Sequence, residues 1–256
     1  MRKKEEIILL VDGLKKEHGR KIISNCYNYG VFDDDDSVRS IHSSDSIIVT
    51  VDESDVRRLY FFVSGVGELG HVADVARSEN AIVEIVTRNE VDREVYLSAG
   101  FRLYSVLRRY SCPNLSDIAY PPAEEKDWYR ADAKDVEDVY SKLHEVFDSN
   151  VSHLGTLDEV AESIQKGNVY ICRDEDGSIV SLLEAVQDNT KLYINQVYND
   201  KQEGCIHLIM KNVLSNFVEN GGRYLYAWIP ENNEASKRFH AKYKLKPDKL
   251  FTFIFK

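Results

Sequence analysis

Asn233, Ser236 and His240 stand at i, i+3 and i+7 near the C-terminus, a spacing that lines side chains along one stripe of a helix. A carboxamide, a hydroxyl and an imidazole in that order can hold a polar ligand and pass a proton. At its ordinary pKa of ~6.5 an imidazole is partly charged at neutral pH, so it can both take and give that proton. The same stripe also reads as a helix cap, a small surface residue and a solvated histidine. A second reactive group is Glu184, the only carboxylate inside the apolar run 179–186. An acid so placed can act as a base through water, or sit in a surface ion pair.

These side chains need elements to position them. Residues 224–229 are aromatic and β-branched and follow the Gly221-Gly222 break, which predicts a strand. Pro230 ends it, and Asn232 or Asn233 can cap a helix carrying Ala235, Phe239 and Tyr243 on one face. Residues 250–255 predict a closing strand. Upstream, Ile206, Ile209, Met210, Val213, Leu214 and Phe217 repeat at helical spacing until Gly221. Before that helix come three antiparallel strand candidates, 169–172, 179–186 and 192–197, joined by Asp176-Gly177 and Asp188-Asn189. Two helical patterns, 133–147 and 157–164, and a short strand at 128–130 precede these. The order is strand, two helices, three strands, helix, strand, helix, strand.

Residues 233–245, with Asn233, Ser236, Phe239 and His240 in register, resemble the strand-helix-strand end of the GNAT acyl-CoA N-acyltransferase superfamily, and the element order from 128 to 256 is that of a complete domain of that family. Where the family places Gly-Phe after the helix, this chain has Lys244 and Leu245. The resemblance implies a mixed α/β fold with a mostly antiparallel central sheet flanked by helices. It also implies acetyl transfer from acetyl-CoA to a primary amine on a small molecule or peptide. Under it, the strand 193–197, with Gln196 and Val197, binds the acyl carbonyl and pantetheine arm through splayed backbone amides. The pyrophosphate falls on the turn Gln202, Gly204, Cys205 and Ile206. His240 takes the proton donor's place, Glu184 is a candidate base, and Asn233 and Ser236 lie along the pantetheine. Glu203 and Ile206 stand where the family prefers an uncharged and a small residue. That departure motivates a second reading, a non-catalytic module of the same fold that binds a ligand or partner.

The first half of the chain repeats the last. Residues 89–101 align without a gap on 233–245, so that Asn89 matches Asn233 and Tyr96 matches His240, while Gly100-Phe101 supplies the pair missing at Lys244-Leu245. The preceding strands, 81–87 and 225–231, align as well. Two tandem domains are therefore expected, a degenerate one over 1–112 and a fuller one over 128–256. The segment 113–127, with Pro121-Pro122, reads as their linker. Whether they meet in one monomer or across a homodimer stays open.

Composition narrows the partners. A formal net charge of −10 argues against a nucleic-acid surface, which needs basic residues to neutralise phosphates, and mildly favours a cationic acceptor. No apolar run reaches the ~20 residues that span a bilayer, and the charged start is unlike a signal peptide, so a cytoplasmic location is the expectation. Cys26, Cys112, Cys172 and Cys205 are too dispersed for a metal knuckle or a disulfide framework, which predicts reduced and mostly buried thiols. The run 33–36 of four aspartates lacks the spacing of a cation loop and reads as solvated. Gly65, Gly67 and Gly70 spell a dinucleotide pattern without the parallel strand-helix-strand unit that would give it meaning.

Overall fold

The computed structural model describes residues 2–19, 21–115, 118, 120–122, 126–200 and 205–256. Contacts divide the chain into two compact units. The first comprises Met1–Leu107, Ser149–Val151 and Leu250–Lys256; the second comprises Arg108–Asp148 and Ser152–Lys249. The described strands form two mostly antiparallel sheets with helices packed on them.

In the first unit, helix α1 (Lys3–Glu17) is followed by strands β1 (Ile23–Ser24), β2 (Val38–His42), β3 (Ser46–Glu53) and β4 (Val56–Val63). Helix α2 (Leu69–Ser78), strand β5 (Val83–Thr87) and helix α3 (Asp92–Ser98) come next. One sheet runs β1-β4-β3-β2. Strand β3 is apolar on both faces for a structural reason: Ile47, Val49 and Val51 pack with Ile7, Val11 and Leu14 of α1, whereas Ile48 faces the cluster holding Val72, Ala73 and Ala76 of α2. The glycine pattern runs through a turn of 3-10 helix, Val66–Glu68, into the start of α2 at Leu69.

In the second unit, β7 (Trp128–Arg130), α4 (Val136–Val146) and α5 (Leu157–Gln165) precede β8 (Val169–Arg173), β9 (Ile179–Asp188) and β10 (Lys191–Asn199). Then come α6 (Ile206–Glu219), β11 (Tyr224–Pro230) and α7 (Glu234–Ala241). Strands β6 (Leu103–Cys112) and β12 (Lys246–Phe255) contribute residues to both units; within the first, β5 pairs with β12, and within the second the sheet runs β11-β10-β9-β8-β7. The apolar stripe of α6 is buried in full against Leu183, Leu192, Ile194, Leu225 and Ala227 on one face of the sheet. On the other face, Val139, Leu143, Val160 and Ile164 of α4 and α5 cover Ile171 and Leu182. Alternation of inward residues along β9 and β10 thus feeds two separate cores.

The two aligned segments share the backbone turn at the end of α3 and of α7. The amide of Phe101 bonds the carbonyl of Tyr96 at 3.2 Å, and the amide of Leu245 bonds the carbonyl of His240 at 3.3 Å. Gly100 has φ +98° and Lys244 has φ +60°. The second helix therefore keeps the left-handed exit that the first makes with glycine, though a lysine must adopt it.

Candidate functional site

The second unit opens between β10 and β11. These parallel strands pair from Lys191 with Tyr224 to Ile194 with Ala227 and no further, while β10 continues against β9 to Asn199. At that point the β9–β10 register shifts, from Ile194 opposite Ala185 to Gln196 opposite Glu184, which leaves Asn195 as the extra residue of a β-bulge. A bulge frees local backbone groups from the ladder and re-aims a side chain. The expected opening over 193–197 thus has its turning point at Asn195. Gln196 is buried and Val197 half-buried.

Glu184 lies beside this bulge. Its carboxylate accepts the hydroxyl of Ser163, on α5, at 2.6 Å and Nδ2 of Asn195 at 2.8 Å. Two neutral donors fix the group, with acceptor positions to spare. Among the described residues its partners are a hydroxyl and a carboxamide, not the cation that a surface ion pair would bring.

Asn233, Ser236 and His240 form a chain running from the surface into the core. Asn233 caps α7 by accepting the amide of Ser236 at 2.9 Å. Nδ1 of His240 lies 2.8 Å from the Ser236 carbonyl and 3.2 Å from its hydroxyl. Because a carbonyl only accepts, Nδ1 carries the proton and Nε2 the lone pair. Nε2 is buried without a hydrogen-bond partner among the described residues. Burial pulls the pKa of His240 down to about 4, and the bond to Ser236 offsets this only in part. The expected imidazole of ordinary pKa is thereby corrected: His240 is 4% exposed and neutral at physiological pH. No hydrogen bond among the described residues joins this chain to the Glu184 group.

The start of α6 departs from an anion cradle. The amide of Cys205 donates to Oγ of Ser181 at 2.8 Å, and that of Ile206 donates to Oδ1 of Asn199 at 3.0 Å. The Ser181 hydroxyl in turn donates to Asn199 at 2.8 Å. Both amides expected to face a pyrophosphate are already satisfied inside the protein, and Cys205 and Ile206 are buried. Gln202 and Gly204 lie outside the described residues. Burial, with a contribution from neighbouring Cys172, pushes the Cys205 thiol up to about 12, which makes it inert.

Sequence reasoning passed over Ser163, Ser181, Asn195, Asn199 and His207. Two adjacent carboxamides, Asn195-Gln196, inside an apolar strand were a legible sign of a bulge. His207 had no such sign. It stacks on Phe239 at 5.4 Å, with Nδ1 2.7 Å from the Tyr243 hydroxyl, and accepts the ammonium of Lys242 at 3.1 Å. Burial and that ammonium both lower its pKa. Among the described residues no group of ligating side chains could hold a metal ion, and no helix is long and apolar enough to cross a membrane.

No protein-family model and no curated protein matches the sequence. Solved structures do match the fold. A GCN5-related N-acetyltransferase from Sphaerobacter thermophilus superposes with a TM-score of 0.57 at 13% identity, over 82% of this chain and 75% of that one. A tandem GNAT protein from the clavulanic acid biosynthesis pathway gives 0.54 at 11% identity, over 82% and 78%. A GCN5-related N-acetyltransferase from Kribbella flavida gives 0.55 at 12% identity, over 96% and 93%. The chain has the GNAT fold, and one of the structures it resembles is a tandem GNAT protein.

Proposed function

We propose that the second unit is an N-acyltransferase that moves an acyl group, acetyl in the first instance, from its CoA thioester to a primary amine. The observation that carries this reading is the opening between β10 and β11, where a bulge at Asn195 and an anchored carboxylate at Glu184 occur together. Backbone groups released by the bulge suit the carbonyl and amide groups of a thioester arm. Glu184 attracts the acceptor's ammonium and takes its proton, directly or through one water. The freed amine then attacks the thioester carbon, the C–N bond forms as the C–S bond breaks, and the second amine proton ends on the thiol. As a neutral imidazole with Nδ1 protonated, His240 offers a lone pair through Nε2 rather than a proton, so its part is to accept a hydrogen bond. The acceptor is a small-molecule or peptide amine, in keeping with the net charge of −10, and the reaction belongs in the cytoplasm, where acyl-CoA is made.

The fit at the phosphate end is poorer. The amides of Cys205 and Ile206 do not suit an anion as they stand, and no step is assigned to them. The same observation favours the second reading, a non-catalytic module of this fold. Free-thiol release from acetyl-CoA over a broad amine panel separates the two. Turnover that falls in Glu184→Gln supports transfer; release at the buffer rate across the panel sinks it in favour of the binding module.

A further inference from the structure

The first unit has its own pair of parallel strands, β4 and β5, and they scarcely touch. The amide of Ile82 bonds the carbonyl of Arg57, and the amide of Leu59 bonds the carbonyl of Ile82, both at 2.8 Å. Arg58 with Ile82, the residue before β5, is the one bridge here among the described residues. Beyond it no backbone pairing joins β4 to β5 among the described residues. Buried backbone groups must nonetheless find partners.

The partner is a side chain. Asn25, 4% exposed, sends Nδ2 to the carbonyl of Leu59 at 2.9 Å and to the carbonyl of Glu84 at 3.2 Å, while its Oδ1 accepts the amide of Phe61 at 2.8 Å. Both donors and the acceptor are used, two on one strand and one on the other. Neighbouring residues continue the pattern. Ile23 and Ser24 pair with Val63 and Phe62 of β4, and the hydroxyl of Tyr27 donates to the carbonyl of Val86 in β5 at 2.8 Å. Beside Asn25 lies a cavity of about 150 Å³ walled by Tyr27, Val31, Leu59, Tyr60, Ile82 and Val86.

We propose that the first unit contains a carboxamide-binding slot between β4 and β5, occupied by the chain's own Asn25, so that residues 23–27 act as an internal ligand closing this gap. The geometry selects a primary carboxamide. A secondary amide has one N–H and cannot reach both carbonyls, and a carboxylate would set its oxygens against them. The slot is thus a place where a small primary amide binds once Asn25 is withdrawn, and the adjoining cavity leaves room for a short apolar body on that amide.

The test uses the full chain, with Asn25→Gly and acetamide as the probe. In the variant, acetamide at roughly tenfold its dissociation constant should raise Tm by about 3 °C, and N,N-dimethylacetamide, which has no N–H, should not. In the wild-type chain neither compound should raise it. A Tm in the variant that responds equally to both compounds, or to neither, overturns the slot. Should Asn25→Gly fail to fold, hydrogen exchange decides between wild type and Asn25→Ser. The Phe61 amide should exchange faster in Asn25→Ser by on the order of 10²-fold while Val49 in β3 is unchanged. Equal protection of Phe61 in both proteins would show that Asn25 does not hold the gap.

Discussion

Asn195 holds Glu184 from the strand next to it: the bulge that interrupts β10 turns the Asn195 carboxamide onto the Glu184 carboxylate at 2.8 Å. The opening and the proposed base are therefore products of the same backbone irregularity. Glu184→Gln keeps the shape and removes the proton acceptor. It should lower kcat for amine acylation by about 10²-fold and leave acetyl-CoA affinity in place. Asn195→Ala frees the carboxylate without removing it and should act more weakly. Steady-state kinetics on both variants checks the ordering; a Glu184→Gln enzyme of wild-type kcat would remove the base from the scheme.

His240 gives the fold a defined acid sensitivity. Unfolded, its imidazole titrates near ~6.5; folded, burial holds it to about 4. Between those values the unfolded chain takes a proton that the folded chain refuses, so stability falls as pH falls through this window and the loss levels off below it. The full window corresponds to about 3 kcal/mol. His240→Leu has no such proton to refuse. Urea unfolding at pH 7.5 and pH 5 should show the wild type losing ~2 kcal/mol more than the variant. Parallel losses in the two proteins would mean that His240 is hydrated and titrates normally.

Most of the fold was legible because it is written in periodicity. The stripe of α6, the alternation in β9 and β10, and the turn residues between them state which face is buried, and each element appears where its pattern lies. The site was less legible because hydrogen bonding between distant residues leaves no period. Ser181 and Asn199 are 18 residues apart and close the start of α6 together. His240 sits on the stripe its spacing indicated, yet the helix is turned so that the imidazole, and not Ala235, is buried. Nor did the sequence hint that Asn25 would fill a gap between strands whose residues begin 31 and 58 positions later (Val56 and Val83).

The Gly221-Gly222 break is a packing requirement as well as a helix stop. A Cβ on Gly222 would lie 2.5 Å from ring atoms of Phe217, which is 2% exposed and has no room to withdraw. Gly222→Ala should destabilise the chain by about 1–3 kcal/mol through overpacking. Gly100→Ala should lose a comparable ~1–2 kcal/mol for a different reason, since its φ of +98° is strained for any side chain. Adding Phe217→Leu should recover stability in the first variant and not in the second. Thermal unfolding of the two double variants checks this.

Asn199 bears directly on how an acyl donor could be held. Its Oδ1 accepts both the amide of Ile206 and the hydroxyl of Ser181, and so caps α6 from the end of β10. Asn199→Ala leaves a helix-start amide without a partner and should cost about 1–2 kcal/mol. Its effect on acetyl-CoA separates two arrangements. If a phosphate competes with Asn199 for the Ile206 amide, removing the competitor tightens binding, by about tenfold for each 1.4 kcal/mol released. If the amide faces inward whenever the donor is bound, the dissociation constant stays within about twofold of wild type. The present geometry predicts the second outcome, because Ile206 is buried and its amide is directed at a side chain from the preceding strand. Calorimetry on Asn199→Ala beside the wild-type chain, with urea unfolding on the same samples, measures both effects. A clear tightening would put the phosphate on the α6 amides and return Cys205 and Ile206 to the donor site.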